Sequence, residues 1–382
     1  MTGKYIVVHG GAGYHNEASE SSVKRALRRA CKRAYSSTTA IELVESAVSI
    51  LEDDPCLNAG FGSNLTLQGT VECDASIMDG ARKAFGSVGA TAGIKNPIRL
   101  ARSVLEYSQN PDPLGRIPPL TLVSPGANLF AEHHLDRRYI VDPTSLASQQ
   151  AVENWNYWTT NLNKATQGLE VVDCEKLHDV QDTVGAIAWC GPSDIAAGVS
   201  SGGLLLKHSG RIGEAAVYGA GCWAQRDKEV IDERTLVRGI ACSVSGIADP
   251  IALSSLYTFV SGAGENIIQS SLAKLIGRTA GEALSSDQDI HNALEKALTV
   301  DLHEACKDSR EQNPKVGIIL LTVEDGGDTS SVRLWCAFTT ASMAIAYMSP
   351  SNPNPKSLVL RRPHGKDAYS KHPLVFITAL RL

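Results

Sequence analysis

The chain has 382 residues, 43% apolar and 20% charged, a balance that excludes intrinsic disorder and collagen-like fibres and allows a large buried core. No apolar run approaches the roughly 18 residues that span a bilayer; the longest clean one runs from Val316 to Val323, between Lys315 and Glu324. A net charge of −5 offers no electrostatic reason for a nucleic-acid surface, so neither nucleic acid nor membrane is an expected partner. Met1 leads through Lys4 straight into a strand-like run, Tyr5 to Val8, without a secretory signal, which points to the cytoplasm or the nucleus. Nine cysteines, an odd count with no Cys-x-x-Cys pair, are expected as reduced thiols and not as a structural zinc site.

In chain order, the strand at Lys4 to Val8 precedes a helix through Lys24, Arg25, Arg28, Arg29, Lys32 and Arg33, whose spacing of three and four places them on one solvated face. Thr39 and Glu42 have the capping-box spacing and open a second helix, with Ile41, Val44, Val48 and Leu51 facing inward. A further helix is predicted near Pro97 to Tyr107. From Asp142 to Gln181 the chain turns polar and reads as helix fading into a mobile loop. Thr183 to Trp189 and Asp194 to Ser200 flank Cys190-Gly191-Pro192-Ser193, a hairpin signature. Helical periodicity fills Pro250 to Asp308. Val316 to Val323, Arg333 to Phe338 and Ser342 to Met348 read as a second antiparallel set. Strands in hairpins and helices in blocks predict stacked antiparallel sheets flanked by helices, in one domain over 1–350 with a peripheral tail at 351–382.

Three clusters carry candidate chemistry. His9-Gly10-Gly11-Ala12-Gly13 follows a strand, but the third glycine of a dinucleotide fingerprint would fall on Asn16, and no Walker loop occurs; a tight turn or an active-site edge remains. The small-residue segments Asn58 to Asn64 and Glu72 to Gly80 read as turns when taken alone. Asp182-Thr183-Val184-Gly185-Ala186 opens a strand after the polar loop. If the Asp182–Thr183 bond were cut, Thr183 would hold both a hydroxyl nucleophile and an α-amine whose ordinary pKa of about 7.7–8.0 lets it act as base. Before the cut, the same hydroxyl can attack the preceding carbonyl through a five-membered ring, giving an ester that water resolves.

Taken together, His9 to Gly13, Asn58 to Ser63, Glu72 to Gly80 and Thr183 to Ala186 resemble the N-terminal-nucleophile hydrolases of the plant-type asparaginase family, and most closely its threonine aspartase (taspase) branch, over about residues 4 to 348. The resemblance implies a four-layer αββα sandwich of the α+β class and self-cleavage into 1–182 and 183–382. Carried over by position, it implies Thr183 as nucleophile and amine base, Ser201 as the second hydroxyl, and Asn58 as a support for the Thr183 amine. Arg211 would grip a substrate carboxylate, a bidentate task suited to guanidinium, with Glu214 and Gly202 beside it. The family's Thr-Gly oxyanion pair aligns with Ile247 and Ala248, a departure that leaves only a backbone amide as donor. No organic cofactor is implied. A sodium ion is, in the backbone carbonyls of Leu51, Glu52, Asp54, Leu57, Ala59 and Phe61.

Related asparaginases carry Thr-Ser-Thr-Gly-Gly and Arg-Val-Gly-Asp, whereas this chain has Val199-Ser200-Ser201-Gly202-Gly203 and Arg211-Ile212-Gly213-Glu214, closer to the taspase pattern. The leading expectation is therefore a self-activated threonine endopeptidase that cleaves polypeptides after aspartate, its αβ units pairing into (αβ)2. Glu214 is then expected to pair with Arg211 or Lys207, or to turn away. The alternatives are an asparaginase or isoaspartyl dipeptidase on small substrates, and an uncleaved relative that acts as a binding protein.

Overall fold

A computed structural model of the chain describes residues 3–169, 183–191, 194–231, 234–246, 263–286, 288–307, 314–325, 330–363 and 375–382. The first half builds strand β1 (Lys4–Gly13), helices α1 (Glu17–Ala34) and α2 (Ala40–Glu52), strands β2 (Cys73–Asp79) and β3 (Ala84–Thr91), helix α3 (Pro97–Ser108), strand β4 (Thr121–Val123), and helices α4 (Gly126–His134) and α5 (Gln149–Thr166). The second half builds β5 (Val184–Cys190), β6 (Ile195–Ser201), β7 (Cys222–Ile231), β8 (Arg234–Gly246), helices α6 (Ala263–Ser270), α7 (Leu272–Ser285), α8 (Ile290–Lys296) and α9 (Leu302–Ala305), then β9 (Val316–Asp325), β10 (Ser330–Phe338), β11 (Ser342–Ser349), β12 (Asn352–Arg361) and β13 (Phe376–Arg381).

Among the described residues the strands form two sheets, in the orders β12-β11-β1-β5-β6-β2-β3-β4 and β13-β10-β9-β8-β7. Period-two alternation divides the first sheet between two cores. Ile6, Val8, Ala186 and Ala188 face α1, α2 and α3, whereas Val7, Ile187, Trp189, Ala197 and Val199 face the second sheet. The second sheet carries α7 against β7 and β8 on its other side. The fold is thus a four-layer αββα sandwich, and nearly every residue of the central hairpin β5–β6 is buried because both faces are covered.

Local chemistry explains the helix starts. The Thr39 hydroxyl accepts the Glu42 amide while Glu42 accepts the Thr39 amide, so the capping box forms as expected. Asn16 caps α1 through the Ser19 amide, and Ser148 caps α5 through Ala151. Trp155 of α5 donates Nε1 to the Thr66 carbonyl at 2.8 Å, anchoring that helix beside the 58–66 loop.

Four expectations change. The glycine cluster is not a turn: β1 runs through it to Gly13 as a bulged strand whose register to β11 shifts between His9 and Ala12. β7 and β8 have no counterpart in the sequence pattern, because small residues and arginines such as Gly239, Ala224, Arg226 and Arg238 obscure the alternation. β9, β10 and β11 are not one set. The chain leaves the second sheet after Phe338 and β11 enters the first, between β1 and β12. The tail after Ser349, read as peripheral, gives one edge strand to each sheet, β12 on β11 and β13 on β10. Its prolines and basic residues are what a sheet edge tolerates.

Candidate active site

Thr183 immediately precedes β5, the strand held between β1 and β6. The pairing of Val184 with Ser200 sets Thr183 across from Ser201. The Thr183 side chain is buried, and its Oγ1 lies 3.1 Å from Ser201 Oγ and 2.6 Å from Glu214 Oε1. A hydroxyl has one proton, so the shorter contact, to a carboxylate, is the stronger. Ser201 Oγ also accepts the Gly203 amide at 3.0 Å. Glu214 opens a 3₁₀ turn, Glu214–Ala216, and its carboxyl is held above the ordinary range by burial, opposed by the Thr183 hydrogen bond and the Arg211 charge. Burial raises its affinity for a proton, and the 2.6 Å contact places the ionised carboxylate to take one from the threonine hydroxyl.

Behind Thr183, His9 of β1 and Ser243 of β8 meet across the two sheets, Nε2 to Oγ at 2.9 Å. Burial pushes the His9 imidazole down to about 3, with the Thr183 backbone opposing, so it is neutral at physiological pH. Gly185 permits this contact, since a Cβ there would lie 2.1 Å from Ser243 Oγ and 2.4 Å from His9 Nε2. His9 belongs to the His9–Gly13 motif, where nothing local in the sequence marks it as functional. Its inward direction depends on the β1–β5 register, which places it opposite Gly185.

The loop that faces Ser201 is organised by Asn58. Its Nδ2 donates to the Gly203 carbonyl at 2.9 Å, its Oδ1 accepts the Asn64 amide at 2.9 Å, and its own carbonyl accepts the Gly202 amide at 2.9 Å. Asn58 therefore shapes the Gly202–Gly203 wall beside Ser201. Lys207 and Asp74 lie buried beneath that wall. Lys207 Nζ donates to the Glu72 carbonyl at 2.7 Å, and Asp74 accepts the amides of Ala90 and Gly213 at 2.8 and 2.7 Å. Burial raises the Asp74 carboxyl, and the Lys207 charge opposes the rise.

The expectation for Glu214 is a pairing with Arg211 or Lys207, or a turn away; its Oε1 instead accepts the Thr183 hydroxyl, while the Arg211 charge also acts on the carboxyl. Arg211 donates Nε and Nη2 to Glu265 Oε1 of α6, at 3.1 and 2.5 Å. Glu265 lies 54 positions from Arg211, and no local spacing links the two. Asp182, Ile247 and Ala248 lie outside the described residues.

At the C-terminal end of α2, the Leu51 carbonyl accepts the amides of Asp53 and Asp54, Leu57 accepts that of Ala59, and Ala59 accepts that of Gly62. The carbonyls of Leu57, Asp54 and Pro55 converge within 2.1, 2.9 and 3.0 Å of where a Cβ on Gly62 would stand. These distances mark backbone packing that leaves no room for a side chain at Gly62; as a donor set, carbonyl oxygens would suit a hard cation and not a transition metal. No group of three or more His, Cys, Asp or Glu side chains with metal-binding placement occurs among the described residues.

An αββα sandwich that presents a buried threonine hydroxyl at the start of a central strand is the architecture of the N-terminal-nucleophile hydrolases. The family described as asparaginase matches residues 2–232. The plant-type L-asparaginase of Pyrococcus abyssi is 30% identical over 364 residues, covering 92% of this chain and 98% of that one. The isoaspartyl peptidase/L-asparaginase of Homo sapiens is 35% identical over 227 residues, 58% of this chain and 68% of that one. The plant-type L-asparaginase of Pyrobaculum calidifontis is 34% identical over 257 residues, 66% and 76% of the two chains. This chain belongs to the plant-type asparaginase family of hydrolases.

Proposed function

We propose that the chain is a precursor that cuts itself before Thr183, and that the mature enzyme hydrolyses β-aspartyl amide bonds in small substrates, as an L-asparaginase or isoaspartyl dipeptidase. The observation that carries this reading is the Thr183 hydroxyl set 2.6 Å from a buried carboxylate and 3.1 Å from a second hydroxyl. In the precursor, Glu214 accepts the Thr183 proton as Oγ1 attacks the Asp182 carbonyl. In the mature enzyme the new α-amine takes the Oγ1 proton as Oγ1 attacks the substrate's β-carbonyl and passes it to the departing ammonia or amine as the amide C–N bond breaks, and water then hydrolyses the resulting ester. Ser201 steadies the nucleophile, and Arg211 takes the substrate's α-carboxylate.

The relatives' names favour this small-substrate reading over the endopeptidase that the sequence patterns suggested. A charge argument supports the same choice: Glu214 and Glu265 flank Arg211, and both would repel an aspartyl side chain that brought no positive charge of its own. A sodium ion held by the carbonyls around Asp54 and Leu57 would fix the loop that carries Asn58, and αβ units would pair into (αβ)2.

Purified protein should resolve by intact mass into 1–182 and 183–382, and Thr183→Ala should stay whole. The mature form should release ammonia from L-asparagine and leave an internal Asp-Gly peptide intact. Peptide cleavage without ammonia release would return the endopeptidase reading, and a chain that stays at full length would return the binding protein.

A further inference from the structure

Asp74 is the second residue of β2, fully buried, and the register of β2 on β6 sets it opposite Ser201. On the other side of β2 the register breaks. Cys73 pairs with Thr91 and Ala75 with Val88, so Gly89 and Ala90 of β3 stand opposite Asp74 alone, the arrangement of a β-bulge. Ala90 holds a φ of 47°, a left-handed conformation that is costly for a residue with a side chain, and its amide goes to Asp74 Oδ1 at 2.8 Å. Asp74 Oδ2 accepts the Gly213 amide at 2.7 Å. Both carboxyl oxygens are thus committed to backbone amides, one from the bulge and one from the residue before Glu214, while Lys207 and Arg211 act on the group through their charge. The bulge also receives the same segment by packing: a Cβ on Gly89 would lie 2.7 Å from Ile212 Cγ2 and 3.3 Å from Ala216 Cβ.

We propose that Asp74 is a positioning residue for Glu214: by tying the β3 bulge to Gly213 it fixes the backbone one residue before the carboxylate that takes the Thr183 proton. The inference rests on the self-cleavage reading above. A neutral side chain would fill the same space without the cost of burying a carboxyl group, so the two amides it gathers are the reason for an acid at this position. Gly213 is placed for the contact as well, since a Cβ there would stand 3.4 Å from Asp74 Oδ2 and 3.3 Å from Arg211 Nη1. Proton transfer from Thr183 to Glu214 depends on a 2.6 Å approach, and a shift of about 1 Å in such a group costs a rate on the order of a hundredfold. Asp74 takes no proton in the cut. Its effect reaches the reaction through residue 214.

The test is a double-mutant cycle on self-cleavage, followed on denaturing gels from freshly translated full-length chain. Asp74→Asn can accept only one of the two amides and should slow the cut by at least about tenfold. In a Glu214→Gln background the same substitution should cost less than about threefold, because a base already removed cannot be misplaced. A general loss of packing would multiply with the Glu214→Gln loss instead. Multiplying losses overturn the inference, as does wild-type speed in either single variant. Folding is judged from the thermal midpoint of Asp74→Asn in the uncleaved Thr183→Ala background. If that variant does not fold, Gly213→Ala decides the matter: its Cβ crowds the same contact from the other side and should slow the cut at least about threefold in the wild-type background and not in the Glu214→Gln one. An unchanged rate in Gly213→Ala then overturns the inference. A wild-type chain that stays whole overturns the self-cleavage reading itself, whereas the other adverse outcomes, seen while wild type cleaves, overturn the role of Asp74 alone.

Discussion

His9 Nε2 and Ser243 Oγ lie 2.9 Å apart and join the two sheets directly behind Thr183. Because burial holds the imidazole at about 3, against an ordinary 6.5, the unfolded chain binds a proton in that interval that the folded chain does not. Stability is therefore fully present above 6.5 and lost as pH falls toward 3. In the uncleaved Thr183→Ala background, His9→Gln should flatten this acid limb of the denaturation midpoint against pH. An acid limb of unchanged slope would contradict a neutral buried His9.

Glu214 Oε1 is 2.6 Å from the threonine hydroxyl. Glu214→Gln keeps an acceptor there but removes the base, so self-cleavage should slow by about 10²–10⁴-fold. The wild-type rate should rise with pH as the carboxyl ionises, and the variant's should not. Time courses on denaturing gels give both, and a variant that cleaves at the wild-type rate would remove Glu214 from the precursor mechanism.

Glu52 ends α2 fully buried, and its Oε1 accepts the Ile98 amide at 2.9 Å, supplying an acceptor for the first turn of α3. Burial pushes its carboxyl up to about 8 from 4.5, so in this interval the folded chain holds a proton that the unfolded chain has released. Stability is full below 4.5 and falls as pH rises to 8, by an amount on the order of a few kcal/mol. Glu52→Gln should remove that slope and raise the thermal midpoint at the alkaline end. An identical pH dependence in the variant would show that Glu52 is ionised in the fold.

β12 is tied to α1 by Arg28 Nη1 on Ser357 Oγ at 3.2 Å and by Arg361 Nη2 on Glu20 Oε2 at 2.5 Å. β13 covers the outer edge of β10. Ending the chain at Ser349 would open β11 and β10 as bare, largely buried-type edges, so the shortened protein should aggregate where the full chain does not. Size-exclusion chromatography checks this, and a monodisperse truncated protein would make the tail dispensable.

The linear order of residues was sufficient for the features whose physics is local. The Thr39–Glu42 capping box, the amphipathic spacing of α1 and α2, the β5–β6 hairpin and the threonine at its entrance each depend on residues a few positions apart. The motif set that marks the family is likewise readable as strings. What faces what was not. Glu214 meets Thr183 across 31 positions, Glu265 meets Arg211 across 54, and His9 meets Ser243 across 234. Charge type alone gave Glu214 two arginine or lysine partners to choose from; the register of β6 and the 3₁₀ turn after Gly213 set it instead against a hydroxyl. The split of β10 from β11 and the edge roles of β12 and β13 have the same cause. Alternation says that a strand has two faces, but only the packing of the whole chain decides which sheet receives it and what lies on either side.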